Sequence, residues 1–175
     1  MELKSRIRII HSDITGLDCD AIVNAANSAL LPGGGVDGAI RHKAGKELDD
    51  ELYRIGHCPA GMAVITPGYR LPARRVIHTV APIWNHHDSD QEAVLAACYD
   101  SVLELADHNQ IRSIAFPAIG TGAYAWPCDK AAAIAFGRVT AHLSTCAIQD
   151  QVIFCCFTAG DLAACNQLYE KLSST

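Results

Sequence analysis

The chain is short of several things, and each lack excludes something. No cluster of lysine and arginine forms a basic stripe, and the formal net charge is −5. A nucleic-acid duplex is therefore a poor partner, since binding one means neutralising its phosphates. An anionic ligand would have to be held mainly by backbone N–H groups and helix N-termini. The first residues, "MELKSRIRIIHSD", contain no apolar core and no cleavage site, so they do not read as a secretory leader. No apolar stretch is long enough to span a bilayer, and no membrane association is expected. The eight cysteines include no C-x-x-C pair. Scattered through apolar and loop segments, they read as reduced thiols of a cytoplasmic protein. A zinc site needs clustered Cys and His, and the His86-His87 pair has no cysteine at ligand spacing, so neither metal nor cofactor is expected. No repeat, linker or low-complexity segment is present, and 175 residues suit one domain spanning 1–175.

What is present alternates between strand and helix periods. Half the residues are apolar and 19% are charged, as in an ordinary globular domain. "RIRIIHS" (6–12) and "AIVNA" (21–25) predict strands. Apolar residues at helical spacing (Ile40, Ala44, Leu48, Leu52) predict one helix over 36–54. "MAVITPGY" and "RVIHTVAP" predict two strands joined through Pro67-Gly68. Residues 89–110 form the clearest helix, capped by Ser89 or Asp90. "SIAFPAIGTG" reads as a strand entering a glycine loop. An Ala-rich helix follows, with Pro127 close to its first turn, then the strand "QVIFCCF" and a helix from 161 to 172. The order predicts an α/β fold, helices on both faces of a mainly parallel sheet.

In such sheets ligands lie beyond the carboxyl ends of the strands, and two glycine loops fall there: "PGGGVDGAI" and "AIGTGAY". Gly33, Gly35 and Gly38 match G-x-G-x-x-G, and Gly120, Gly122 and Ala125 match its G/A variant. A dinucleotide fold, however, wants the first glycine directly after its strand and an acid ending the next strand. Here "AANSALLP" intervenes and the later segment reads "RIGHC", which argues against a Rossmann oxidoreductase. The glycines still allow close backbone approach to an anion, and successive N–H groups form a nest. Two such loops suit the two phosphates of a pyrophosphate. Asp37 is the anomaly, a carboxylate set beside an anion nest. A helix cap explains it in part; the other uses are to accept from sugar hydroxyls or to orient a water. Asn24 and Asn27 offer donors and acceptors suited to ribose diols.

These blocks, in this order, resemble the macrodomain family, in particular its MacroD-like branch of ADP-ribose-processing proteins. The resemblance runs from "SDITGLDCDAIVNAAN" through "GGGVDGAI", "CPAGMAVITPGYRLPARRVIHTVAP" and "SIAFPAIGTGAYAWP" to "QVIFCCF". It implies a three-layer α/β/α fold with a mixed, mainly parallel sheet, holding ADP-ribose across the strand ends. By resemblance Asp13 and the Ile14 backbone meet the adenine, and Phe157 stacks on it. Gly35 and Val36 face Gly120, Thr121, Gly122, Ala123 and Tyr124 across the pyrophosphate. Asn27 and Asp37 address the distal ribose, while Asn24 braces the loop. The implied activity is hydrolysis of O-acetyl-ADP-ribose or removal of ADP-ribose from acidic side chains of proteins, with Asp37 and Asn27 as the catalytic pair. Such a carboxylate is a weak base, so positioning a water carries most of the rate gain. The alternative is an ADP-ribose-binding module with little catalysis; recognition of RNA or poly-ADP-ribose fits the acidic composition less well. The chain departs from the branch at Arg41, where a His is usual; His42, one residue on, lies about 100° around the helix. Arg41 cannot act as a base but suits a phosphate or acyl oxygen. Ser12 replaces a glycine, and Gly120 stands where serine is common.

Overall fold

A computed structural model describes residues 2–88 and 90–172. The β-branched and aliphatic runs pair into one six-stranded sheet: β1 (Ile7–His11), β2 (Ala21–Ala25), β3 (Ala63–Pro67), β4 (Arg75–Thr79), β5 (Ser113–Phe116) and β6 (Gln151–Cys156). The strand order is β1-β6-β5-β2-β4-β3. All neighbours run parallel except the edge pair β3 and β4, whose short connection through Pro67-Gly68 permits an antiparallel return.

Alternation along each strand sends side chains to two separate cores. Ala21 and Val23 of β2, with Val152, Phe154 and Cys156 of β6, pack under α3 (Gln91–His108), α4 (Cys128–Thr145) and α5 (Ala159–Lys171). Ile22, Val76, Ala115, Ile153 and Cys155 face the opposite layer, α1 (Gly35–Ala44) and α2 (Lys46–Ile55). This is the three-layer arrangement expected, mixed and mainly parallel. Among the described residues, no helix is long and apolar enough to cross a membrane.

The structure corrects some local expectations. The single helix over 36–54 is two helices, because Gly45 takes φ +94° and ends the first. Its apolar period continues across the break, so spacing alone cannot reveal it; only the glycine marks a possible C-terminal stop. The helix expected from 89 starts at Gln91, with Asp90 in the cap position but making no side-chain cap bond. Ser89 lies outside the described residues. Pro127 sits just before α4, where its missing N–H costs nothing.

Candidate functional site

Because β1, β6, β5 and β2 are parallel neighbours, the loops leaving their carboxyl ends line one rim of the sheet in that order. Asp13 follows β1, Phe157 follows β6, Gly120 to Tyr124 follow β5, and Asn27 to Val36 follow β2. Strand order thus sets the expected site residues in a row. Asp13 caps a short 3-10 turn, accepting from Thr15 Oγ1 at 2.7 Å and Thr15 N at 2.9 Å. These two bonds, the hydroxyl first, hold its carboxyl below the usual range. Ile14 is buried beside it, and Phe157 is 78% exposed. A ring that open on a strand end is available for stacking.

The first glycine loop leads into α1, whose cap position is Gly34 and which has no side-chain cap bond. Among the described residues the N–H groups of Gly34, Gly35 and Val36 have no protein acceptor, so the positive end of the helix faces outward. Asp37 is not the cap. It lies inside the first turn, 3% exposed, and its carboxylate reaches back to the backbone N–H of Gly33, just before the cap. Oδ1 accepts from Asn24 Nδ2 at 2.7 Å; Oδ2 accepts from Gly33 N and from Arg41 Nε, both at 2.8 Å. Both lone pairs of Oδ2 are thereby used, and one on Oδ1 is left for a further donor.

Arg41 is placed differently from expectation. It lies behind the carboxylate, 6% exposed, with Nη1 on Asp49 Oδ1 at 2.5 Å and Nη2 on the Leu30 carbonyl at 2.9 Å. One helical turn after Asp37, its fork is spent within the protein, so it serves the aspartate rather than a phosphate or acyl oxygen. His42 is exposed. Asn27 closes the loop, its Oδ1 accepting from Leu31 N at 3.0 Å and its Nδ2 donating to Leu31 O at 2.7 Å. It also borders the same small space as Asp37: a Cβ at Gly33 would meet Asp37 Oδ2 at 3.3 Å and Asn27 Nδ2 at 3.8 Å. Asn24 braces the aspartate itself rather than the loop.

Behind Asn24 runs a buried polar chain that sequence reasoning missed. Asn24 Nδ2 lies 3.0 Å from His78 Nδ1, and His78 Nε2 lies 2.9 Å from Thr66 Oγ1. Thr66 donates on to the Pro67 carbonyl. With Asn24 donating, His78 Nδ1 must accept and Nε2 must carry the proton. Burial, helped by the Arg41 charge, pulls the imidazole pKa down to about 3, so it is neutral. Asn24 Oδ1 is buried without a donor among the described residues, a cost borne while Nδ2 serves both Asp37 and His78. The signal available in the sequence was a histidine inside the apolar run "RVIHTVAP".

Across the rim, the second loop turns at Gly120, φ +87°. The N–H groups of Gly122, Ala123 and Tyr124 have no protein acceptor among the described residues. Trp126 anchors the loop, buried and donating from Nε1 to Pro82 O at 2.8 Å. A Cβ at Gly120 would strike Trp126 Cδ1 at 2.7 Å. Gly120→Ala is therefore expected to cost about 2 kcal/mol, from the left-handed backbone plus the clash. Gly122→Ala, which meets nothing within 4 Å, should cost under about 0.5 kcal/mol. Thermal denaturation of the two variants checks the contrast.

Comparison with known proteins bears on this rim. The Macro domain family model matches residues 23–135. A Macro domain-containing protein of Mesorhizobium japonicum is 55% identical over 152 residues, 87% of this chain and 86% of its own. An O-acetyl-ADP-ribose deacetylase of Citrobacter koseri is 47% identical over 174 residues, covering 97% of this chain and 96% of that one. Among solved structures, the Oceanobacillus iheyensis macrodomain with ADP superposes with a TM-score of 0.90 at 40% identity, covering 95% of this chain and 90% of that one.

Proposed function

The chain belongs to the Macro domain family, and from that premise we propose that it binds ADP-ribose and hydrolyses ADP-ribose esters. The substrates are O-acetyl-ADP-ribose and mono-ADP-ribosylated acidic side chains. One observation carries the catalytic part: Asp37 is fixed at the junction of the glycine loop and α1 with a single Oδ1 lone pair uncommitted. Phosphates would lie against the free N–H groups of the two loops, and adenine between Asp13 and Phe157. The distal ribose then falls at Asp37 and Asn27. A water hydrogen-bonded to Oδ1 would attack the acyl carbon. The ester C–O bond breaks, the ribose oxygen leaves with a proton, and the acyl group leaves as a carboxylic acid. With the carboxylate already oriented by its neighbours, the gain comes mainly from position. Eight free thiols suit a reducing compartment, and the proposal places the protein in the cytoplasm.

The ion pair with Arg41 favours a second reading, an ADP-ribose-binding module, because it occupies one carboxylate oxygen outright. Ester loss from O-acetyl-ADP-ribose, followed beside calorimetric binding of ADP-ribose, separates the two. The expected result is turnover by the native protein. Asp37→Asn should lose on the order of 100-fold in rate, about 2.7 kcal/mol of barrier, with ADP-ribose affinity kept within a few-fold. Tight binding without turnover leaves the module reading, and full turnover by Asp37→Asn removes the carboxylate from the mechanism.

A further inference from the structure

At the opposite end of the strands, where β5 and β6 begin, three side chains of different chemistry converge. Asp107 comes from the end of α3, His142 from the last turns of α4, and Cys146 from the residue capping α4. Asp107 Oδ1 lies 3.4 Å from His142 Nε2 and 3.4 Å from Cys146 Sγ, and all three atoms lie within 4.8 Å of one another. Bond lengths of about 2.0–2.3 Å to nitrogen, oxygen and sulfur give tetrahedral edges of roughly 3.3–3.6 Å for a set with one sulfur. The two edges that meet at Asp107 Oδ1 have the length a zinc tetrahedron requires, and the third is bounded at 4.8 Å. The trio is the one such group among the described residues.

The surroundings are those of a held site rather than a chance surface cluster. Gln149, fully buried, donates from Nε2 to Asp107 Oδ1 at 2.6 Å and so aims the carboxylate. Its Oε1 lies 3.0 Å from His142 Nε2, within reach of the fourth corner. The backbone carrying Cys146 and Gln149 is pinned by Arg6, buried itself, which donates to the carbonyls of Leu143, Cys146 and Gln149 at 2.6 to 2.8 Å. Partners that orient the ligands in this way are what a metal site needs beyond its ligands. His142 and Cys146 stand four apart on one helix end, but Asp107 arrives from another helix, so linear spacing hides the set.

We infer that Asp107, His142 and Cys146 form a zinc-binding site that ties the end of α3 to the end of α4, remote from the ligand rim. A mixed sulfur, nitrogen and oxygen set selects zinc over the hard cations. Binding takes neutral His142 and displaces the Cys146 thiol proton, so one proton is released for each thiolate formed. Gln149 Oε1 or a water completes the four-coordinate shell.

The test uses the full chain stripped with a chelator and titrated with Co2+ as a spectroscopic probe, then with Zn2+. Expected are one equivalent of Co2+ bound, visible bands of tetrahedral cobalt, and a near-ultraviolet thiolate-to-cobalt charge-transfer band that Zn2+ abolishes. Zn2+ at about 100 times its Kd should raise the Tm by roughly 5–10 °C. Cys146→Ser should lose the charge-transfer band and the Tm shift. His142→Gln, on the half-exposed helix end, should weaken binding at least about ten-fold and serves if the first variant fails to fold. No charge-transfer band in the native chain, a band that survives Cys146→Ser, or a Co2+ affinity unchanged in His142→Gln overturns the site and leaves a hydrogen-bonded helix end.

Discussion

Arg41→Ala is expected to lower the stability of the protein by about 3 kcal/mol and its Tm by roughly 6–12 °C. Truncation leaves Asp37, 3% exposed, without the one full charge that balances it. Removing one partner of a buried pair typically costs about 3–5 kcal/mol. The lower end applies because Asn24 and Gly33 still donate to the carboxylate. The same truncation frees the Leu30 carbonyl and leaves Asp49 with no fork to meet. Arg41→Lys keeps a charge but not the three-way geometry, and should recover only part of the loss. Urea denaturation of the three proteins at pH 7 measures this. An alanine variant as stable as the native chain would show that the pair contributes nothing net.

Acid should weaken the fold well before its carboxylates titrate, and His78 is the reason. Its pKa falls from the ordinary value of about 6.5 to about 3 when the chain folds. Between those limits the unfolded chain takes up a proton that the folded chain refuses. The His78 contribution is thus complete above about pH 6.5 and is lost as pH falls towards 3, at about 1.4 kcal/mol per pH unit. By pH 4.5 the expected loss is about 2.7 kcal/mol from this residue alone. The structural cause is plain: a protonated Nδ1 would point an N–H at the Asn24 amide N–H, in a site wholly shielded from solvent. Urea titrations of the native protein and His78→Gln at pH 7, 5.5 and 4.5 isolate the effect, because other groups cancel in the difference. Asp13 and Asp20, whose pKa values are lowered, act at lower pH and in both proteins. Parallel pH profiles for the two proteins would contradict a neutral, buried His78.

How far these features could be read from residues alone depends on whether they are periodic. Strands such as Ala21–Ala25 and Gln151–Cys156 are apolar runs closed by turn residues, and their order with the helices is enough to set an α/β sheet. The glycine loops announce themselves at strand ends, and Asp37 stands out as a charge beside them. What spacing does not carry is contact between segments. The helical period from Ile40 to Leu52 runs unbroken through Gly45, yet the chain turns there. In one straight helix Arg41 and Asp49 would be about 12 Å apart along the axis; the turn brings them to 2.5 Å. The residue expected to reach a ligand is, for that reason, consumed in an internal ion pair. His78, Thr66 and Asn24 meet only because β2, β4 and β3 are adjacent, a fact of strand order rather than of any one strand. The Asp107, His142 and Cys146 cluster escapes for the same reason.

The segment between β2 and α1 is held along its length by the protein itself. Ala26 N bonds to Thr79 O, Asn27 closes on Leu31, Arg41 holds the Leu30 carbonyl, Ser28 O receives Cys58 N, and Gly33 N rests on Asp37. Fixing a free backbone residue costs on the order of 1–2 kcal/mol of conformational entropy, and an untethered glycine loop would meet that cost at each encounter with a ligand. Here it is met once, when the chain folds. Ligand capture can then proceed on a surface that is already ordered, and the affinity of the rim depends on the contacts it offers rather than on the disorder it must first remove.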